Sequence, residues 1–143
     1  MEDSNSIHAR AYFNLLKTES WIDEKIKDAL KPFDLTHAQL NALHILFEND
    51  PEPVSANELK TRILVRNPDL TRLLDRLVKK GYVKRETCPE NRRKIDISLT
   101  KSGKEFFNKA HVSAKVALGN FFEKQITKKE AEELRRILHK IRG

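Results

Sequence analysis

Across residues 7–33 apolar side chains recur at Ile7, Ala11, Leu15, Ile22, Ile26 and Leu30. That three-to-four-residue spacing draws one stripe down an amphipathic helix. Pro32 closes it, because proline has no N–H to continue the helical ladder. Three later helix starts carry a different signal. Thr36 with Gln39, Ser55 with Glu58 and Thr127 with Glu130 each place a hydroxyl three residues before a Glu or Gln. Such a capping box satisfies orphan backbone N–H groups from both sides. Leu35 with Leu40, and Val54 with Leu59, are spaced to staple across the first two caps. Between those helices, Asn49-Asp50-Pro51-Glu52-Pro53 is a turn.

Asn67-Pro68-Asp69 predicts another helix start: a capping amide, proline at the first helical position, then an acid facing the helix dipole. The helix that follows buries Leu70, Leu73, Leu74, Leu77 and Val78. It leaves Thr71, Arg72, Asp75, Arg76 and Lys79 outside, and ends at Gly81 in a left-handed cap. There the period changes to two. Residues 82–87 read as one strand, and Ile95, Ile97 and Leu99 mark a second. The polar stretch 88–94 between them predicts a hairpin with a basic tip. Helix returns from Thr100, with Phe107, Ala110, Ala114, Ala117 and Phe121 on one stripe. A last helix from about Lys128 has Leu134, Leu138 and Ile141 on its apolar side. The expected fold is mainly α with a small β-hairpin wing, a winged helix-turn-helix in a single domain spanning residues 1–143.

Composition adds two things. Apolar residues make up only 38% of the 143 and charged residues 34%, which suits long wet helices or a core completed by a second copy of the chain. The charge is also uneven. Residues 60–104 hold fourteen Lys/Arg against five Asp/Glu, a local +9 against +7 for the whole chain, so the rest carries −2. A basic block on a near-neutral body points to a polyanion, with nucleic acid first. The single cysteine, Cys88, excludes an internal disulfide. Neither a signal peptide nor a membrane-length apolar run is present, so a cytoplasmic protein is expected.

Helix, tight connection, second helix with arginines outside, basic hairpin: this order suits duplex DNA. An α-helix fits the major groove, and Arg72 and Arg76, one turn apart, can reach guanine edges or phosphates. The candidate DNA-binding residues are Arg66, Asn67, Asp69, Thr71, Arg72 and Arg76 from this helix and its approach. Arg92, Arg93 and Lys94 from the hairpin join them, since a basic wing can lie against a narrow minor groove.

Five pieces in order resemble one family, the MarR (multiple antibiotic resistance) regulators. They are Leu35-Thr36-His37-Ala38-Gln39, Leu70-Thr71-Arg72-Leu73-Leu74-Asp75-Arg76-Leu77, Lys79-Lys80-Gly81-Tyr82-Val83-Lys84-Arg85, Asn91-Arg92-Arg93, and Ile97-Ser98-Leu99-Thr100-Lys101-Ser102-Gly103. The resemblance implies a homodimer, with residues 1–34 and 101–143 as dimerisation helices and 35–100 as the winged helix-turn-helix. It implies a pseudopalindromic operator, a small-molecule effector or oxidant that releases DNA, and repression as the usual outcome. One departure stands out. The family usually carries Asp where this chain has Asn91, and that aspartate is expected to hold the arginine aligned with Arg93 by a charge-assisted hydrogen bond.

Other residues receive plainer readings. His8, His37, His44, His111 and His139 show no metal-ligand spacing and are read as surface or core-edge histidines. Lys84, Arg85 and Arg92 lie near Cys88 and would favour its thiolate, but it is read as an inert small residue. Tyr12, Phe13 and Trp21 are assigned to core or dimer seam. No phosphate loop, nucleophile elbow or paired acid and base supports an enzyme, and no cofactor is expected. The alternative from a different class is a winged-helix adaptor for another protein, which would need an apolar patch on the outer face of the arginine-bearing helix.

Overall fold

The opening stripe forms helix α1, Ile7–Leu30, in the computed structural model, which describes residues 6–65 and 69–143. Ser6 caps it, its hydroxyl accepting the Ala9 N–H at 3.1 Å. The helix stops short of residue 33. Pro32 cannot donate, so the chain tightens into a 3-10 turn, Lys31–Phe33, and leaves it through Asp34 in the left-handed region at φ 49°. Of the predicted stripe only Ile26 and Leu30 are buried, while Ile7 is 67% exposed and Leu15 is also exposed.

Helix α2 is His37–Asn49, and its capping box is complete: the Thr36 hydroxyl accepts the Gln39 N–H, and the Gln39 side chain accepts the Thr36 N–H. Leu35 and Leu40 are both buried beside the cap. A short strand β1, Val54–Ser55, leads into helix α3, Ala56–Arg62. Here only half of the expected box forms. Ser55 accepts the Glu58 N–H at 3.1 Å, but the Glu58 carboxylate lies along the helix, 3.5 Å from Arg62. An i,i+4 ion pair takes the group that the second half of the box would have used.

Helix α4, Leu70–Lys79, is followed by strands β2, Val83–Cys88, and β3, Asn91–Leu99. The sheet is three-stranded in the order β1-β3-β2, all antiparallel. The third strand is a difference from the expected two-stranded hairpin. Its anchor is Val54 facing Ile97, both fully buried. Two residues are too few to show alternation, so the sequence pattern does not reveal β1.

Thr100 caps helix α5, Lys101–Gln125, by accepting the Gly103 N–H. Gly103 is there because a Cβ would run into the Tyr82 carbonyl, which also accepts the Thr100 N–H at 3.1 Å. Phe107, Ala110 and Ala114 are buried, and the small residues let α5 lie against α1 and α2. Ala117 and Phe121 of the same stripe are half-buried; Phe121 meets Trp21 edge-on at 4.8 Å. Helix α6, Lys128–Arg142, has both halves of its Thr127–Glu130 box, yet none of its residues is buried.

The core therefore sits in the middle of the chain. Leu30, Leu43, Leu46, Val54, Leu59, Leu77, Ile97 and Phe107 are its largest fully buried side chains. At either end apolar faces have no cover within one chain. Tyr12, Phe13 and Leu16 on α1, Val112, Val116 and Leu118 on α5, and Leu134, Ile137 and Ile141 on α6 are all exposed. Among the described residues no helix is long and apolar enough to cross a membrane.

Candidate nucleic-acid interface

Helix α4 begins two residues later than its sequence suggests, at Leu70. Asp69 itself is the cap, its carboxylate accepting the Arg72 N–H at 3.0 Å, so it is not an acid inside the first turn. Arg66, Asn67 and Pro68 lie outside the described residues. Leu73, Leu74 and Leu77 face the core, with Leu70 and Val78 half-buried beside them. Each fully buried leucine contributes about 1.5–3 kcal/mol, enough to fix which face of this short helix turns inward. Thr71, Arg72, Asp75, Arg76 and Lys79 are then left exposed on the opposite face, as expected.

The exit is held as firmly. Gly81 adopts φ +81°, its N–H bonds Val78 at 2.9 Å, and the Tyr82 N–H bonds Leu77 at 3.0 Å. These two bonds close a Schellman motif. Next to it the Lys80 ammonium donates to the Asp34 main-chain carbonyl at 2.6 Å and lies 3.4 Å from its carboxylate. The left-handed corner between α1 and α2 is thereby tied to the end of α4. Arg76 and Lys80 also wall a cleft of about 980 Å³ that α1 and the start of α2 complete, where Asp23 meets His37 at 3.1 Å.

The wing differs from a polar loop between two short strands. Its turn is only Pro89 and Glu90, and β3 starts at Asn91. Cys88 pairs with Asn91, but the next pair along is Thr87 with Ile95. Arg92, Arg93 and Lys94 therefore bulge out of the ladder, and all three are exposed. Asn91 shapes this bulge, its side-chain oxygen accepting the Arg93 main-chain N–H at 3.1 Å. Asn91 thus holds the backbone of Arg93, whereas the family's aspartate is expected to hold the arginine side chain.

Sequence reasoning missed the bond that joins wing to helix. Arg85 on β2 reaches Asp75 on α4 at 2.6 Å, while Lys84 lies 3.8 Å from Glu86. Two of the three cations expected around the half-buried Cys88 are thus paired with acids. By contrast, the side chains of Arg72, Arg76, Arg92, Arg93 and Lys94 form no ion pair among the described residues. An acid between two outward arginines was the available signal that Asp75 needs a partner; no local pattern points to Arg85 as that partner.

The histidines lie elsewhere. His44 bonds Glu48 at 3.0 Å and its ring lies 5.4 Å from that of His111, both beside Phe107. Burial, then the neighbouring His44 and Lys115, push the His111 pKa below its ordinary 6.5. Among the described residues no three His, Cys, Asp or Glu side chains converge as a metal site.

Residues 35–95 match the family model described as the MarR family. The chain is 35% identical over 114 residues to the HTH-type transcriptional regulator SarZ of Staphylococcus aureus, covering 79% of this chain and 73% of that one. It is 26% identical over 137 residues to an uncharacterised HTH-type transcriptional regulator of Bacillus cereus, covering 96% and 90%. In structure it is similar to a mutant MarR of E. coli complexed with operator DNA, with a TM-score of 0.79, 27% identity and 96% of each chain covered. The repressor CouR bound to a 23-mer DNA duplex has the same fold, with a TM-score of 0.85 at 20% identity, covering 100% of this chain and 99% of that one. A basic helix locked by its leucines, a wing tied to it and these likenesses converge on one conclusion: the chain belongs to the MarR family of DNA-binding transcriptional regulators, which are not enzymes.

Proposed function

We propose that this regulator reads duplex DNA by laying the outer face of α4 in the major groove, with Arg72 and Arg76 as the base or phosphate contacts and Thr71 beside them. The supporting observation is that Arg72 and Arg76 stand unpaired among the described residues on the one face of α4 that the core leaves free. Arg92, Arg93 and Lys94 contact the neighbouring minor groove from the wing, where narrow A·T stretches concentrate negative potential. Arg66 and Asn67, outside the described residues, are assigned to the same contact on their sequence alone, and Asp69 acts through its cap. The adaptor alternative needs an apolar patch here, and the outward residues of α4 are instead Thr, Arg, Asp, Arg and Lys.

The functional unit is a homodimer. The uncovered apolar faces at the N-terminal half of α1, on α5 and along α6 are the surfaces that a second copy would bury. Two copies of α4 then meet a pseudopalindromic operator, with half-sites about one helical turn apart, ~34–36 Å. The protein acts as a repressor released by a small molecule. The cleft walled by Arg76 and Lys80 is the place assigned to that effector, because an occupant would touch both the α1–α2 corner and the end of α4.

Selection from a random DNA pool, followed by salt titrations on the selected and a scrambled duplex, tests the reading. A recovered palindrome, bound tighter than scrambled sequence with steep salt dependence for both, is expected. Equal affinity for the two duplexes would overturn sequence-specific recognition, and salt-independent binding would overturn the electrostatic interface.

A further inference from the structure

Past Arg62, the last residue of α3, residues 63–65 belong to no helix or strand. The α3 cap ends the helical bonding at Ile63, whose N–H returns to Leu59 at 3.1 Å. Packing supplies only part of the hold, through Ile63 and Val65 against the core. Leu64 is 89% exposed and Val65 only half-buried. A single side-chain oxygen from another helix takes both main-chain N–H groups. The Asn41 Oδ1 of α2 accepts from Leu64 at 2.7 Å and from Val65 at 3.0 Å.

We propose that Asn41 is a positioning residue for DNA recognition: by clamping the Leu64 and Val65 N–H groups it fixes where the chain sets out toward α4, and so how α4 is presented to the groove.

Three observations carry this. Asn41 sits inside α2 with Leu40, Ala42 and Leu43 buried around it, so its own helix is held rigidly by the core. Asparagine is a poorer helix residue than alanine, by up to about 0.7 kcal/mol, and the two bonds offset that cost. The bonds also bridge 23 and 24 residues of sequence. They join α2, the helix ahead of the α3–α4 pair, directly to the stretch that follows α3. At the far end of α4 the Lys80–Asp34 contact ties the helix to the α1–α2 corner, and the Asn41 bonds tie the stretch after α3 to α2. The tie ahead of α4 matters more for reading bases, because the first residues of a recognition helix reach deepest into the groove.

A residue that only stabilises the fold would change the melting temperature and leave the affinity ratio of the folded protein intact. The inference rests on the proposed reading of α4, and the test separates the two. The full-length protein is measured against the selected operator and a scrambled duplex at one salt concentration. If wild type does not discriminate, the reading of α4 fails. Given discrimination by wild type, Asn41→Ala is expected to lower the operator-to-scrambled ratio about tenfold, equivalent to about 1.4 kcal/mol. Its circular dichroism should match wild type, and its salt slope on scrambled DNA should not move. Asn41→Asp keeps an oxygen able to accept both N–H groups, so it should preserve the ratio even though its charge lowers both affinities. Asn41→Gln displaces the oxygen by one methylene and should behave like Asn41→Ala; it serves in its place if the alanine variant fails to fold. An unchanged ratio in Asn41→Ala or Asn41→Gln, or a ratio lost equally in Asn41→Asp, would overturn the proposal.

Discussion

Arg85 and Asp75 meet at 2.6 Å across the gap between the wing and the recognition helix. Both are partly exposed, so the pair is worth only about 0.2–1 kcal/mol of stability. Its consequence is for binding. Asp75 stands on the outward face of α4 between Arg72 and Arg76, and Arg85 offsets its charge on the face proposed to meet DNA.

Arg85→Ala should therefore weaken DNA binding more than Asp75→Ala does. The arginine variant leaves a bare carboxylate facing the duplex and frees the wing, whereas the aspartate variant only frees the wing. The double variant should recover part of the loss. Dissociation constants for all three, with melting temperatures as controls, check this. Equal and additive losses would mean that the pair does not act as a unit at the interface.

Arg72 lies in the first turn of α4, its N–H fixed by Asp69 and its side chain unpaired among the described residues. Arg72→Ala should cost about 1–3 kcal/mol on the operator and relax preference at one position per half-site. Binding measured on a panel of single-base operator variants reads both effects. The same loss on scrambled DNA would make Arg72 a phosphate contact.

What local patterns reveal here, and what they hide, follows from the range of the interactions. Caps at Thr36 and Thr127, the Gly81 stop and the leucine face of α4 are set by residues three or four apart, so a one-dimensional pattern contains them. The outward arginines were legible for the same reason. The Asp75–Arg85 pair, the Lys80–Asp34 tie and the Asn41 clamp join residues 10, 46 and 23–24 positions apart. No spacing rule reaches that far. β1 was hidden because its identity comes from pairing with β3, not from its own two residues. The start of α4 was misplaced because Asn67 and Asp69 are both good caps, and local chemistry does not choose between them.

His111 makes stability depend on pH. Its pKa is depressed in the folded protein by burial, then by His44 and Lys115, so the unfolded chain binds its proton more readily. Stability should thus rise with pH through the window that ends near 6.5, and fall as the pH drops below that value. Urea unfolding across this range compares wild type with His111→Gln. The variant should lose that part of the slope; an unchanged slope would assign the effect to other groups.

The wing bulge gives the last prediction. Asn91 fixes the Arg93 main chain, while the guanidinium has no ion-pair partner among the described residues. Arg93 should contribute more to binding than Arg92, because its backbone is already held. Ordering a long side chain on DNA costs on the order of 1 kcal/mol, and a partner that preorganises it removes part of that cost. Asn91→Ala should weaken binding by releasing the bulge. Asn91→Asp keeps an acceptor for the Arg93 N–H and adds a charge that can hold the guanidinium. It also brings a negative charge close to phosphate, and the two effects oppose each other. Preorganisation should prevail, since the arginine neutralises the carboxylate that holds it. The expected order of affinity is Asn91→Asp, wild type, then Asn91→Ala, measured at one salt concentration beside Arg92→Ala and Arg93→Ala. Weaker binding by Asn91→Asp than by wild type would show that repulsion prevails, and that asparagine at this place suits the wing to an uncharged hold on its own backbone.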